Sequence, residues 1–331
     1  MAVRRNQQLP LVRPTFEHRL GLMAETLLFR TNDEKLLAAA DASFGRFRVP
    51  TDDRPPLVVE LFVDDAGDAE RRSDTEPKAR VVDRIHGDHY LIAGGVGDVA
   101  VVDGATGVAT GFVSRATADD IRYVRYAFIE AMALSMLARN RGYLAIHAAG
   151  VIRNGVGVII GGPAGSGKST LAMACARRGF GVFSEDAVFV RVLPASLELW
   201  GTPWIQRLLP DAGALFPELR GAAGRLQPNG EVKFEVDLDE VAPGRAVPCA
   251  PAGAIVDLVR ATGGPTRIEP IESDLELLWA WDGAWTAAHE RSAERLAAQP
   301  RYRLHMNGTP DEAVDVLAAM LDGTDGPASR G

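Results

Sequence analysis

The first third of the chain carries short runs of apolar positions separated by turn residues. Leu57–Val63 reads as an apolar strand, and Arg80–Ile85, His89–Ile92, Asp98–Val102 and Gly107–Val113 read as repeated short strands. Tight-turn residues separate several of them, at Gly87-Asp88, Gly94–Gly97 and Asp103-Gly104, as an antiparallel meander requires. Ahead of these strands, Thr31 or Asn32 can cap a helix over Asp33–Ser43. The charged, breaker-rich stretch Asp64–Lys78 reads as a loop. Near Ser114–Thr117 the period changes. Ile121, Val124, Phe128, Met132, Leu134 and Leu137 recur at roughly helical spacing, which predicts a helix from Ala118 to about Asn140, capped by Thr117 and stopped by Gly142. This change of period divides the chain into a small mixed, mostly antiparallel β domain over residues 1–115 and a second, α/β domain over 116–322. Residues 323–331 are expected to form a disordered tail.

Within the second domain, Tyr143–Ile152 reads as a strand, Asn154-Gly155 as a hairpin turn and Val156–Ile160 as the returning strand. A helix is expected over Leu171–Arg178, ended by Gly179. Strands are expected at Gly181–Ser184, Ala187–Leu193, Leu197–Trp200, Glu231–Val236, Ala252–Val259 and Tyr302–His305. Gln206–Leu219 reads as a helix interrupted around Pro210 and Pro217. Further helices are expected over Asp274–Trp281, over Gly283–Ala298 and from Thr309 or Pro310 to about Leu321.

Composition narrows the range of functions. The formal net charge is −8 over 331 residues, and basic pairs such as Arg4-Arg5 and Arg177-Arg178 are short. This argues against a nucleic-acid or anionic-membrane binder. Cys175 and Cys249 are far apart and lack metal spacing, a usage that suits the reducing cytoplasm. No apolar run reaches membrane-span length and no signal-peptide core is visible, so no membrane partner is expected. A homo-oligomer is compatible with all of this.

The stretch Gly162-Pro163-Ala164-Gly165-Ser166-Gly167-Lys168-Ser169 matches G-x-x-x-x-G-K-[ST] at every fixed position, with Thr170 following. Glycines at these points let consecutive N–H groups converge on phosphate oxygens. Lys168 is then expected on the β/γ-phosphates of ATP, and Ser169 on Mg²⁺. The flanking pattern of β-rich run, loop and helix supports nucleotide binding by residues 162–170. Glu185-Asp186 lies one helix and one short strand further on. A metal-bound triphosphate needs an acidic partner opposite the loop, to orient Mg²⁺ or to accept a proton. His147 has small neighbours, Ala145, Ala148, Ala149 and Gly150, which leave room for a ligand beside it. Arg207 and Lys233 are the leading downstream cations for charge that develops on a transferred phosphoryl group.

These residues, in the order H-A-A-G-V from His147, hairpin, G-P-A-G-S-G-K-S-T, helix and F-S-E-D-A-V from Phe183, resemble the catalytic domain of the HPr kinase/phosphorylase family. The specific match covers about 147–188. The resemblance implies a P-loop kinase domain of the HPr kinase/phosphoenolpyruvate carboxykinase type. It implies an ATP- and Mg²⁺-dependent enzyme that phosphorylates a serine-type hydroxyl on a peptide, protein or small molecule, peptide tailoring included. It makes Lys168 and Ser169 the phosphate and metal residues, His147 the catalytic-site histidine, Glu185 the first acid and proposed base, and Asp186 the second acid, holding Mg²⁺ with Ser169. Arg207 completes the expected catalytic set. Glu185 stands where aspartate is usual, one methylene longer, and the two acids can exchange roles. The family's glycine-rich motif is not visible between Gly201 and Glu240. The rival reading is a regulatory module that binds nucleotide without phosphotransfer.

Overall fold

The computed structural model describes residues 12–51, 53–64, 82–94, 97–227, 230–272 and 285–323. The chain divides into two compact units, Met1–Arg141 and Gly142–Gly331.

The first unit contains β1 (Phe16–Leu22), β2 (Glu25–Thr31), α1 (Glu34–Phe44), β3 (Leu57–Val63), β4 (Val82–His86), β5 (His89–Gly94), β6 (Asp98–Asp103) and β7 (Val108–Val113). They form a seven-stranded sheet in the order β1-β2-β3-β7-β6-β5-β4. Pairing is antiparallel except on the two edges of β3, which runs parallel to β2 and β7. Burial alternates along β5 and β6, as expected of a sheet with one covered face. The covered face packs Leu27, Phe29, Leu61 and Ile92 with Leu36, Phe128 and Leu137 in a core that is almost fully dry. β1 and β2 carry no turn signal of the glycine–asparagine type, and the strand reading of the sequence missed them. Helix α1 is capped by Asp33, whose carboxylate accepts from the N–H groups of Lys35 and Leu36, and not by Thr31 or Asn32.

The helix expected over 118–140 exists in pieces: α2 (Arg115–Asp119), α3 (Ile121–Val124), a π-helical turn (Arg125–Glu130) and α4 (Ala131–Arg141). Its first cap is Ser114, which accepts from the Thr117 N–H. These helices fall within the first compact unit, so the division lies at 141/142, a helix later than the change of period suggests. The reason is chemical: the helical stripe is covered by β3, β6 and β7 of its own unit.

The second unit contains β8 (Leu144–His147), β9 (Ala149–Arg153), β10 (Val156–Gly161), α5 (Lys168–Arg177), β11 (Gly181–Ser184), β12 (Ala187–Val192), β13 (Leu197–Trp200), β14 (Ile205–Leu208), β15 (Arg225–Leu226), β16 (Val232–Asp237), α6 (Leu238–Val241), β17 (Cys249–Arg260), β18 (Arg267–Pro270), α7 (Ala287–Ala297), β19 (Arg301–Met306) and α8 (Pro310–Gly323). The single strand expected over 143–152 differs in the structure. It is two strands, broken at Ala148: β8 pairs with β12, and β9 pairs with β10 and β11. The long strand β17 joins the halves of a nine-stranded sheet. Its first residues pair antiparallel with β13, and the remainder runs parallel between β10 and β19.

Every residue of β10 is buried. Val158 and Ile160 face Leu171, Cys175, Val314 and Leu317 of α5 and α8, while Ile159 joins Ile146, Phe183, Val190 and Leu296 on the other side. The result is a mixed α/β unit with both faces of its central strands covered. The expected helix at 206–219 begins instead as strand β14, in a separate three-stranded sheet ordered β14-β16-β15. It continues as 3₁₀ turns at Pro210–Ala214 and Pro217–Leu219. The prolines set those turns but leave too little helical length for a continuous α-helix.

Three expectations lie wholly or mostly outside the described residues: the loop at 64–78, the helix at 274–281 and, beyond Gly323, the tail. No helix among the described residues is long and apolar enough to cross a membrane.

Gly150 fixes the close approach of β9 to β11. A Cβ there would stand 2.1 Å from Phe183 Cε2, and the Phe183 ring is fully buried two residues ahead of Glu185. Gly150→Ala is therefore expected to lower the unfolding free energy by about 1–3 kcal/mol, the usual range for overpacking a tight core. Urea denaturation of the two proteins checks this, and equal midpoints would refute it.

Candidate functional site

The site is built where β10 ends. The Asn154-Gly155 turn has positive φ at both residues, 51° and 77°, the geometry of a two-residue type I′ hairpin. It returns the chain as β10, whose last residue Gly161 pairs with Asp257 of β17. Beyond Gly161 the backbone turns through Gly162, Gly165 and Gly167 at φ of 144°, 76° and 101°, a region that side chains with a Cβ rarely enter. Pro163, Ala164 and Gly165 form the exposed crest of the loop, and Ser166 and Lys168 are buried at its base. Gly167 is the left-handed N-cap of α5. Ser169 and Thr170 follow, half-buried, in the first turn.

Lys168 Nζ donates to the carbonyl oxygens of Gly162 at 2.8 Å and Pro163 at 3.1 Å, so the ammonium lies under the loop. Burial pushes its pKa down from the ordinary value, while the charges of Asp186 and Glu185 oppose that shift. The Ser166 hydroxyl oxygen is buried without a hydrogen-bond partner.

The acid pair follows β11. Glu185 is 5% exposed, and its carboxyl is pushed up to about 7, first by burial and then by the charge of Asp186. Arg207, Lys233 and a hydrogen bond from the Ser169 side chain pull the other way. Arg207 Nη1 stands 3.9 Å from Glu185 Oε2. Asp186 is more open. Its Oδ1 lies 3.1 Å from His147 Nε2, and that hydrogen bond holds the Asp186 carboxyl below its ordinary range. The contact follows from register, because Ala187 on β12 faces His147 on β8. The Ala148 N–H also donates to the Asp186 carbonyl at 3.0 Å. The break at Ala148 thus aims His147 at the acid pair.

The three-stranded sheet supplies the cations. Arg207 on β14 faces Glu235 on β16, and Arg225 on β15 faces Lys233 on β16. Glu235 lies 3.8 Å from both Arg207 and Arg225 and accepts from Gln227 Nε2 at 3.2 Å. Lys233 pairs with Glu231 at 3.1 Å and lies near enough to affect Lys168, Glu185 and Asp186 electrostatically.

Lys168 of the loop, His147, Glu185, Asp186, Arg207 and Lys233, all singled out in the sequence, are therefore brought together by contact or charge. Glu235, Arg225 and Gln227, which hold Arg207 in place or one another, and Arg260, which touches the loop at Ser166, carry no signal in the sequence. Each is an ordinary polar residue in a strand segment, and only its register with a strand distant in sequence brings it in. Among the described residues no three His, Cys, Asp or Glu side chains form a ready-made metal cage. The oxygen set of Ser169 and the acid pair still suits Mg²⁺, which takes one or two carboxylates and completes its shell with phosphate and water.

No protein-family model matches the chain, and no curated protein does. Among solved structures, the Hpr(Ser) kinase/phosphatase from Coxiella burnetii is similar over 54% of this chain and 90% of that chain, at 14% identity and a TM-score of 0.33. A likeness at that level does not by itself establish a shared fold or activity.

The raised pKa of Glu185 makes stability depend on pH. Folding favours its protonated form, so the contribution is fully present below about 4.5 and is lost as pH rises through about 7. In Mg²⁺-free buffer the wild type should lose stability relative to Glu185→Gln between about pH 5 and about pH 8, by at most about 3 kcal/mol. Urea titrations at stepped pH measure the difference. Parallel profiles, or a wild type that gains on the variant with rising pH, would sink the assignment.

Proposed function

We propose that the second unit is a P-loop kinase that moves the γ-phosphoryl group of ATP to a serine-type hydroxyl, as in HPr-kinase-like enzymes. The observation that carries this reading is His147 Nε2 at 3.1 Å from Asp186 Oδ1, beside the buried Glu185, with both acids in electrostatic reach of the loop's Lys168. A loop that only sensed nucleotide would have no use for a histidine–carboxylate pair at the γ-phosphate end.

The roles follow from exposure and contacts. The backbone N–H groups of residues 162–170 and the Lys168 ammonium hold the phosphates. Ser169 and Glu185 lie together and are the better-placed metal pair. This exchanges the two acids relative to the sequence expectation, in which Asp186 held the metal with Ser169. Ser169 and Glu185 would hold Mg²⁺, which would supply neutralisation of the phosphate charge there. Asp186 and His147, the more exposed pair, face the acceptor. The acceptor hydroxyl oxygen bonds to the γ-phosphorus as the bond from that phosphorus to the β,γ-bridging oxygen breaks. The hydroxyl proton passes to the Asp186–His147 pair, and ADP leaves. Arg207 and Lys233 meet the charge that develops on the phosphoryl oxygens. The acceptor class is a serine-bearing peptide, protein or small molecule.

Transfer from γ-labelled ATP to fractions of a cell extract tests this. Lys168→Ala should abolish labelling while the protein stays folded. Asp186→Asn should lower kcat by about 10²–10⁴-fold at unchanged Mg²⁺ requirement, whereas Glu185→Gln should raise the Mg²⁺ concentration needed. The reverse pattern would return the metal to Asp186. ATP binding with no Lys168-dependent label in any fraction would favour the regulatory module.

A further inference from the structure

The strands around the acid pair change partners twice at one level of the sheet. β8 gives way to β9 at Ala148, and β11 gives way to β12 across Glu185-Asp186. On one side of this joint β11 pairs with β9, with Ser184 opposite Gly150. On the other side β12 pairs with β8, with Ala187 opposite His147. The β11–β9 register already shifts between Val182 and Ser184. The regular ladders therefore stop at the place where the acids and the histidine must be held. The Ala148 N–H ties the joint through its bond to the Asp186 carbonyl at 3.0 Å. The Ser184 side chain, which the chemistry described above does not use, adds a second tie.

Ser184 is 1% exposed. Its hydroxyl donates to the Ala187 carbonyl at 2.7 Å and stands 3.3 Å from the Ala148 carbonyl. The first contact spans the Glu185-Asp186 dipeptide. The second reaches the break that follows His147. Buried hydroxyls and carbonyls cost free energy when left without a partner, so the tie resists opening. The end of β11 also has little freedom to shift. A Cβ on Gly201 would stand 2.1 Å from the Phe183 carbonyl oxygen and 2.8 Å from Ser184 Cβ, and a Cβ on Gly150 would press on the Phe183 ring from β9.

We propose that Ser184 is a positioning residue for the acid pair: its hydroxyl pins the Glu185-Asp186 dipeptide against the break at Ala148 and so sets the reach from Asp186 to His147. It touches no reacting group and acts through Asp186. Its effect on rate rests on the proposed kinase reading, whereas the pin itself is read without any activity.

Backbone amide exchange, and Lys168-dependent labelling from γ-labelled ATP, compare the full-length wild type with Ser184→Ala and Ser184→Cys. Ser184→Ala should speed exchange of the Ala148 amide about tenfold, as loss of one hydrogen bond does, and leave the amides of β17 unchanged. Its labelling rate at saturating ATP should fall about tenfold to a hundredfold at unchanged KM for ATP, as a small misplacement of a reacting group does. Ser184→Cys, with its weaker donor, should lie between the two. In an Asp186→Asn background Ser184→Ala should cost little more, because the two residues act as a unit. An equal further loss in that background would overturn the inference, and so would a raised KM at unchanged kcat. Faster exchange throughout the unit would also overturn it, since the serine would then only support the core. If Ser184→Ala does not fold, Ser184→Cys decides by the same measures. No Lys168-dependent label from the wild type would refute the kinase reading. Unchanged Ala148 exchange in Ser184→Ala, with the wild type active, would overturn the inference alone.

Discussion

β10 is hydrogen-bonded along both edges, antiparallel to β9 on one side and parallel to β17 on the other. The site depends on that double pairing. The hairpin side brings β11 and β8 within reach, and with them the acid pair and His147. The parallel side brings β17 and, at its end, Arg260. A buried strand with both ladders made cannot slip, since a one-residue shift would exchange Val158 and Ile160 with Ile159 between two different cores. The loop that follows therefore starts from a fixed point, and its glycines take up positive-φ turns that a residue with a Cβ would rarely adopt.

Charge is the second constraint. Lys168 and Glu185 are both nearly buried, and each is shifted toward its neutral form by desolvation. Opposite charges around them limit that cost: Arg207 beside Glu185, and both acids beside Lys168. Glu235 in turn holds Arg207 and Arg225 in place. On the proposed reading, a phosphate reaching the loop would meet dipoles and cations already oriented, the form of electrostatic preorganisation that phosphoryl transfer needs.

The features legible in the sequence were local ones. The glycine spacing, the Asn154-Gly155 turn and the Glu185-Asp186 dipeptide each reside in a few adjacent residues, and the short strands of the meander could be read from the turn residues between them. What escaped depended on contacts distant in the chain. The segment 143–152 is apolar but for His147, so nothing in its period marks the break at Ala148. Ile205–Leu208 forms a strand only because β16 lies beside it. Arg260 stands in an otherwise unremarkable strand end, and its place against Ser166 follows from the parallel register of β17. The period over 118–140 marks that stretch as helical, but the strands that cover it lie before it in the chain.

The break at Ala148 also bears on how such a chain can vary. His147 and Ala149 are two residues apart in sequence but belong to strands paired with different partners, β12 and β10. Adding or deleting one residue anywhere from Leu144 to Gly161 would flip the inward and outward faces of one half or pull the histidine off the acids. Changes of length are therefore confined to places where no ladder crosses, such as the turn closed by the Leu193 N–H on the Ser196 carbonyl, or the run of 3₁₀ turns after β14. The run between β14 and β16 can thus be lengthened or reshaped while the spacing from histidine to lysine stays constant.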